Sequence, residues 1–446
     1  MMNVFSAAKN LGTSHTMNRS VFIQGLRRSD AVLCLLIGLG SSIFVDVGGR
    51  VSVSEIVCLV WFIISFAQRD YWPESVRNFS GAAGILIVGL GLATLHASGP
   101  ARSFLLAAAN YTFLLILVLV LARILGRRPG LGLLSPLLVG AALSQIAGYI
   151  LTPSVSALID PWKFGLGWAV TILVMLAAQR LRGKAFGFFT APALLLALAM
   201  VHLLLGSRSA AVIVLLCAML LFKRQGASRG AMLGVVSLLI AGLAIASFGY
   251  EYLAVNGLLG EASAGKLSDQ SGDFGLLFGA RKELVLLFAS WVASPVFGWG
   301  PDAVVPDGVR SGAYAWFIDQ GYVINFADYD RLFLSAEVPL HSVVLGSLVQ
   351  AGVFAIIFGF IAIRLSAISI RFSIRTQSYP ALFICLTGVI HLLTSPLGDS
   401  TRFPVALTLA IAIYSVGESL RQLAPDSKHD HRLLANPRRE IVRHVK

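Results

Sequence analysis

Three residues have the type and setting to do chemistry. Arg208, in Gly206-Ser207-Arg208-Ser209, is the sole lysine, arginine or acid between Lys184 and Lys223. Two apolar stretches meet there with almost no loop, which would hold its guanidinium at membrane headgroup level, where five donors can grip a lipid diphosphate bidentately. The competing reading is snorkelling, as for Arg50, Arg102 and Lys163 near other span ends. Arg281 opens a run to Val292 that reads as an amphipathic helix, too short to span and polar at its start, lying along the membrane surface. Pro295 and the turn Phe297-Gly298-Trp299-Gly300-Pro301 end it, and Arg281 alternatively pairs with Glu283 or Asp273. His341 follows Pro339, which is expected to open a helix. In the first turn the positive end of the helix dipole keeps an imidazole neutral and available as a general base. His96, His202 and His391 also lie in or beside apolar runs, where a lone histidine is more often a packing residue.

Weaker patterns accompany these. Asp328-Tyr329-Asp330 has the alternation that turns two carboxylates toward one cation, without a histidine or cysteine cluster to complete a metal site. Ten residues separate Arg310 from Gly321, a spacing that chance produces for about one arginine in ten when glycine is this common. Asp399 is a helix-end acid that could orient a basic partner. Cys34, Cys58, Cys217 and Cys385 sit inside apolar runs as small fillers, with neither metal nor disulfide spacing.

The elements that must position these residues are membrane helices. The chain is 57% hydrophobic and 13% charged, and segments of about 20 apolar residues recur along it, which excludes a soluble globule. About twelve spans are expected: 31–48, 51–68, 81–98, 103–122, 131–151, 162–179, 187–205, 209–222, 231–250, 340–363, 380–396 and 402–418. The net charge of +13 then reports topology rather than nucleic-acid binding. With the N-terminus (1–30) in the cytoplasm, 25 of the 35 lysines and arginines fall on the inner side, seven of them in a basic tail at 419–446 that contacts solvent or lipid headgroups. The segment 251–339, between spans 31–250 and 340–418, falls on the outer face with eleven acids and five bases. Its length and aromatic content predict one folded loop unit between helices 9 and 10. Lys9, Arg19, Arg27 and Arg28 precede a first span without a cleavage site, which predicts an uncleaved anchor. No internal repeat supports a secondary transporter, and few ionisable residues other than Asp46 and Glu55, both near expected span ends, interrupt the apolar segments.

In order and spacing, three segments resemble the O-antigen ligase and polymerase superfamily of bacterial inner-membrane glycosyltransferases. They are Leu205-Gly206-Ser207-Arg208-Ser209-Ala210, Arg281 with Ser294-Pro295-Val296-Phe297-Gly298-Trp299-Gly300-Pro301, and Pro339-Leu340-His341-Ser342-Val343-Val344-Leu345-Gly346 with Gln350-Ala351-Gly352. The likeness covers the second half best; the first six spans add only a similar helix count. Many relatives have an acid before the glycine, where this chain reads Gln350-Ala351-Gly352. The resemblance implies an all-α, GT-C-like membrane fold and transfer of a glycan from undecaprenyl diphosphate to an acceptor sugar hydroxyl on the periplasmic face, with inversion and without a metal or other cofactor. It assigns Arg208 and Arg281 to the diphosphate and His341 to the acceptor hydroxyl, with Asp399 and Arg310 as further substrate-binding candidates. The expected acceptor is lipid A core, as for a ligase. A polymerase would instead accept a second lipid-linked repeat unit of O-antigen or exopolysaccharide, and a glycolipid flippase would transfer nothing.

Overall fold

The computed structural model describes residues 29–66, 74–127, 131–182, 187–222, 282–321, 329–335 and 337–423, with Tyr252, Asn256 and Ile324. Arg281, Asp328, the expected span at 231–250 and both chain ends lie outside the described residues. The first half contains α1 (Ser29–Leu39), a hairpin of β1 (Phe44–Asp46) and β2 (Arg50–Ser52), α2 (Val53–Phe66), α3 (Glu74–His96), α4 (Ala101–Leu125), α5 (Leu134–Leu151), α6 (Val155–Ile159), α7 (Gly167–Arg182), α8 (Gly187–Leu204) and α9 (Arg208–Phe222). The second half contains α10 (Lys282–Ala293), α11 (Asp307–Asp319), α12 (Val343–Ala351), α13 (Phe354–Arg375), α14 (Tyr379–Thr394) and α15 (Asp399–Leu423). A π turn at Trp162–Leu166 runs directly into α7.

This is an all-α membrane protein. Six helical segments are long and apolar enough to cross a bilayer: α3, α4, α5, Trp162–Arg182, α13 and α15. Helices α1, α2, α8, α9 and α14 are apolar but shorter. Every expected apolar segment within the described residues overlaps one of these helices. A helix satisfies its own backbone where water is absent, so hydropathy alone marks these segments, while small residues decide how closely they pack. A Cβ on Gly38 of α1 would lie 2.1 Å from the Leu137 carbonyl oxygen, and one on Gly140 of α5 would lie 2.3 Å from that of Leu35. The central helix is α15, whose spanning segment is 83% buried; it packs against α4, α13 and α14.

Side-chain bonds fix which helix ends lie together. At the end of α7, Arg182 Nη1 donates to the Gln377 carbonyl at 2.8 Å and Gln179 Oε1 accepts from the Tyr379 amide at 2.9 Å, joining it to the start of α14. At the opposite end of this helix, the Trp162 indole donates to His202 Nδ1 at 2.9 Å, and His202 Nε2 meets the Thr171 hydroxyl at 2.8 Å. That places the α8–α9 turn and Arg208 at the same end of the bundle as the last turn of α14. The hairpin, the α3–α4 turn and the α14–α15 turn gather there too, through bonds between Arg402, the Arg50 carbonyl and Asn110 and through the stack of His96 on Phe297.

The expected span 340–363 is two helices. Gly352, with φ +57°, breaks it, and α12 starts beside Leu392 of α14 and packs against α3, α10, α13 and α14. The turn Phe297–Pro301 locks into this break. The Trp299 amide donates to the Val349 carbonyl at 2.8 Å, that of Gly300 to Gln350 at 3.1 Å, and that of Val353 to Val296 at 3.2 Å. A Cβ on Gly352 would lie 2.2 Å from the Val296 oxygen, and one on Gly298 would lie 2.6 Å from the Val349 oxygen. Glycine is therefore required on both strands of the contact. Gln350 Nε2 donates to the Pro301 carbonyl at 2.8 Å, which gives this position a use for an amide rather than an acid.

Two other expectations change. The helix after Pro339 begins at Val343, because the Ser342 hydroxyl accepts from the Leu345 amide at 3.0 Å and caps it; His341 precedes the cap instead of occupying the first turn. Helix α10 matches the expected amphipathic stretch in length, yet its polar start is not at a surface: Lys282 and Glu283 are both buried. Its apolar face forms a second hydrophobic core with α11 and α12, built from Leu286, Leu287, Phe317, Leu332, Phe333 and Val349 among others.

Candidate functional site

The C-terminal end of α14 organises the candidate site. Helix α9 packs against α14 and begins at this end with Arg208, which is half-buried and engaged with a neighbour. Gly206 makes the abrupt α8–α9 turn possible with φ +74°, and the Ser207 amide closes it on the His202 carbonyl at 2.8 Å. On another side of α14, the Ser342 hydroxyl donates to the Leu392 carbonyl at 3.3 Å and so fixes the adjacent, half-buried His341. Only the four residues Ser395, Pro396, Leu397 and Gly398 separate the end of α14 from Asp399. Thus Arg208, His341 and Asp399, which lie far apart in sequence, flank one helix end.

Asp399 is the acid that opens α15, and it does have a basic partner: Arg50 of the hairpin, at 3.0 Å. Arg50 remains 66% exposed and its guanidinium lies 4.9 Å from the centre of the Phe44 ring. Beneath this pair is a buried one absent from the sequence expectations. Arg402 Nε donates to Glu55 Oε1 at 2.5 Å and Nη2 to Oε2 at 3.1 Å, while Nη2 also reaches the Arg50 carbonyl at 2.7 Å and Nη1 the Asn110 side chain. Glu55 is not merely a span-end acid, since it is 1% exposed and Arg402 is 3% exposed. Two sequence signals point to it. Ser52-Val53-Ser54-Glu55 is a capping box, realised by Ser52 amide to Glu55 Oε2 at 2.6 Å and Glu55 amide to Ser52 Oγ at 3.3 Å, and Arg402 is a charge in an apolar span.

Arg310, a further substrate-binding candidate from the sequence, makes its contacts within the protein. It is buried in α11, with its guanidinium donating to the Ser335 carbonyl and paired with Asp307, so it ties the second core together. Ser335 borders a cleft of about 710 Å³ whose walls include Asp302, Asp330, Glu337 and the segment Val338–Leu340 that leads to His341. Among the described residues no group of three or more histidines, cysteines or acids is arranged to hold a metal ion. The three control histidines have packing roles: His202 is buried between Trp162 and Thr171, His391 meets the Ser395 hydroxyl at 2.9 Å, and His96 stacks 4.9 Å from Phe297.

What this arrangement can do is bind an anion and handle a proton at one end of a membrane bundle, beside a cap formed by α10, α11 and their hydrophobic core, with a cleft at its edge. Arginines supply fixed positive charge and directional donors, and a histidine outside the helix supplies a titratable nitrogen. No protein-family model matches the sequence, and no curated protein matches it.

Proposed function

We propose that the protein is a bacterial inner-membrane glycosyltransferase of the O-antigen ligase type. It transfers a glycan from undecaprenyl diphosphate to an acceptor sugar hydroxyl of lipid A core at the periplasmic face. The observation that carries this reading is the convergence of Arg208 and His341 on the same end of α14. In the proposed reaction, Arg208 and Arg281 neutralise the diphosphate. The acceptor oxygen attacks the anomeric carbon, its proton passes to the His341 ring, and the bond from that carbon to the diphosphate oxygen breaks with inversion. Undecaprenyl diphosphate leaves with the bonding electron pair. Fixed guanidinium charge stabilises the negative charge that develops on the leaving oxygen, the role a divalent cation fills elsewhere.

In this reading the twelve spans place both chain ends in the cytoplasm and the acidic loop unit in the periplasm. The gathering of Arg127, Arg182 and Arg375 at the bundle end opposite Arg208 supports that orientation. A periplasm-active reporter fused near residue 305 should be active, and inactivity would reverse the sidedness.

The decisive experiment supplies purified protein with a defined lipid-linked glycan and either lipid A core or a second lipid-linked unit. Extension of lipid A core, lost in His341→Ala and reduced in Arg208→Lys, is expected. Extension of the second lipid-linked unit would make the protein a polymerase. Passage of the glycan lipid across liposomes without transfer would make it a flippase. Transfer by His341→Ala at the wild-type rate would remove the base assignment, and loss of transfer on chelation, restored by a divalent cation, would replace the metal-independent mechanism.

A further inference from the structure

Glu55 and Arg402 form a four-way junction that local structure does not require. The capping box would satisfy the first turn of α2 with Glu55 and Ser52 alone, yet Arg402 arrives from α15 and spends its donors on Glu55, Asn110 and the Arg50 carbonyl. A buried ion pair is a poor source of net stability, because desolvating both charges offsets their attraction. What it does provide is fixed geometry, and that geometry has a direct consequence at the surface.

Arg402 stands three residues after Asp399 on the same helix and holds the carbonyl of Arg50, the residue that pairs with Asp399. The two members of the surface pair are therefore held to each other from below. Asp399 takes Nη1 of Arg50, and the ring of Phe44 limits where the guanidinium can swing. A guanidinium has five N–H donors in a planar fork, so engagement through Nη1 leaves donors for a second oxyanion without breaking the pair. The side chain is two-thirds exposed at the bundle end that carries Arg208 and His341.

We infer that Arg50 is a further cationic contact for the diphosphate of the lipid-linked donor, and that Arg402 and Glu55 are positioning residues that present it through Asp399. This rests on the glycosyl-transfer reading for its choice of anion. The guanidinium binds charge that the donor diphosphate already carries in the ground state, while the further charge that develops on the leaving oxygen is assigned to Arg208 and Arg281, so the effect of Arg50 falls on donor KM more than on kcat.

The test uses the full-length protein in nanodiscs, with undecaprenyl diphosphate as the binding probe and glycan transfer as the second readout. Arg50→Ala is expected to weaken the probe about tenfold, the size of one charge-assisted hydrogen bond, and to raise donor KM by a similar factor with little change in kcat. Arg402→Lys keeps the charge but loses the fork, and should raise KM although Arg50 is intact. Glu55→Gln/Arg402→Met removes both buried charges and should do the same; adding Arg50→Ala to it should cost little more, because the presentation is already lost. Wild-type probe affinity in Arg50→Ala would overturn the contact. A fall in melting temperature with unchanged KM in both Arg402 variants would overturn the positioning role. If transfer proceeds but Arg50→Ala leaves KM unchanged, the inference fails and the transferase reading stands. If the probe binds through Arg50 and neither acceptor is extended, the anion contact stands and the transferase reading fails.

Discussion

Replacing Gly352 by alanine should unlock the cap from the bundle while leaving the bundle itself intact. The native residue has φ +57° and ψ −137°, a combination open essentially to glycine alone. The new Cβ would lie 2.2 Å from the Val296 oxygen and 2.5 Å from its carbon, so one strand of the contact must retreat by about 1 Å to reach ordinary van der Waals distance. That retreat breaks up to three backbone hydrogen bonds, from the amides of Trp299, Gly300 and Val353. At about 1 kcal/mol each, with about 1–2 kcal/mol for the forbidden backbone conformation, the cost is about 4 kcal/mol. By the usual conversion this is close to a thousandfold increase in local opening. Hydrogen–deuterium exchange of the protein in nanodiscs reads it directly: peptides over 295–303 and 345–353 should lose protection, and peptides from α15 should not. Gly308→Ala is the matched control, since a Cβ there meets open space in α11 and should be neutral or mildly stabilising. Protection at 295–303 within about threefold of wild type in Gly352→Ala would refute the idea that this turn and this helix break hold each other in place.

The other predictions concern the bundle and the cap separately. Glu55→Gln leaves the Arg402 charge buried without its counterion and should destabilise by about 3–5 kcal/mol in a detergent melt, with most of the loss recovered by adding Arg402→Met; equal destabilisation of the single and double variants would show that the charge is not the cause. Arg310→Met removes the link from α11 to the Ser335 carbonyl and should loosen the second core by roughly 1–3 kcal/mol, measured by exchange in α11, without altering donor affinity. Selective loss of donor affinity with a tight core would return Arg310 to substrate binding. Gly140→Ala places a methyl 2.3 Å from the Leu35 oxygen and should force α1 from α5 at a cost of about 1–3 kcal/mol, seen as a lower melting temperature; an unchanged melt would show that this crossing relaxes freely.

Sequence by itself determined which segments are apolar helices, because hydropathy is a local property and the backbone must satisfy itself in lipid. It also singled out Arg208 and His341 by their isolation at the edges of apolar runs, and Gly298 as a turn residue. Tertiary structure decided what meets what. The break at Gly352 depends on the approach of Val296, 56 positions earlier in the chain. The start of α12 lies three residues beyond the expected 340, because the Ser342 hydroxyl caps the helix at Val343. The partnership of Glu55 with Arg402 spans 347 positions, and only packing of α2 against α4, and of α4 against α15, brings the two charges together. A pattern of residue types records each side chain's cost of burial, whereas the partner that offsets this cost is set by which helices become neighbours.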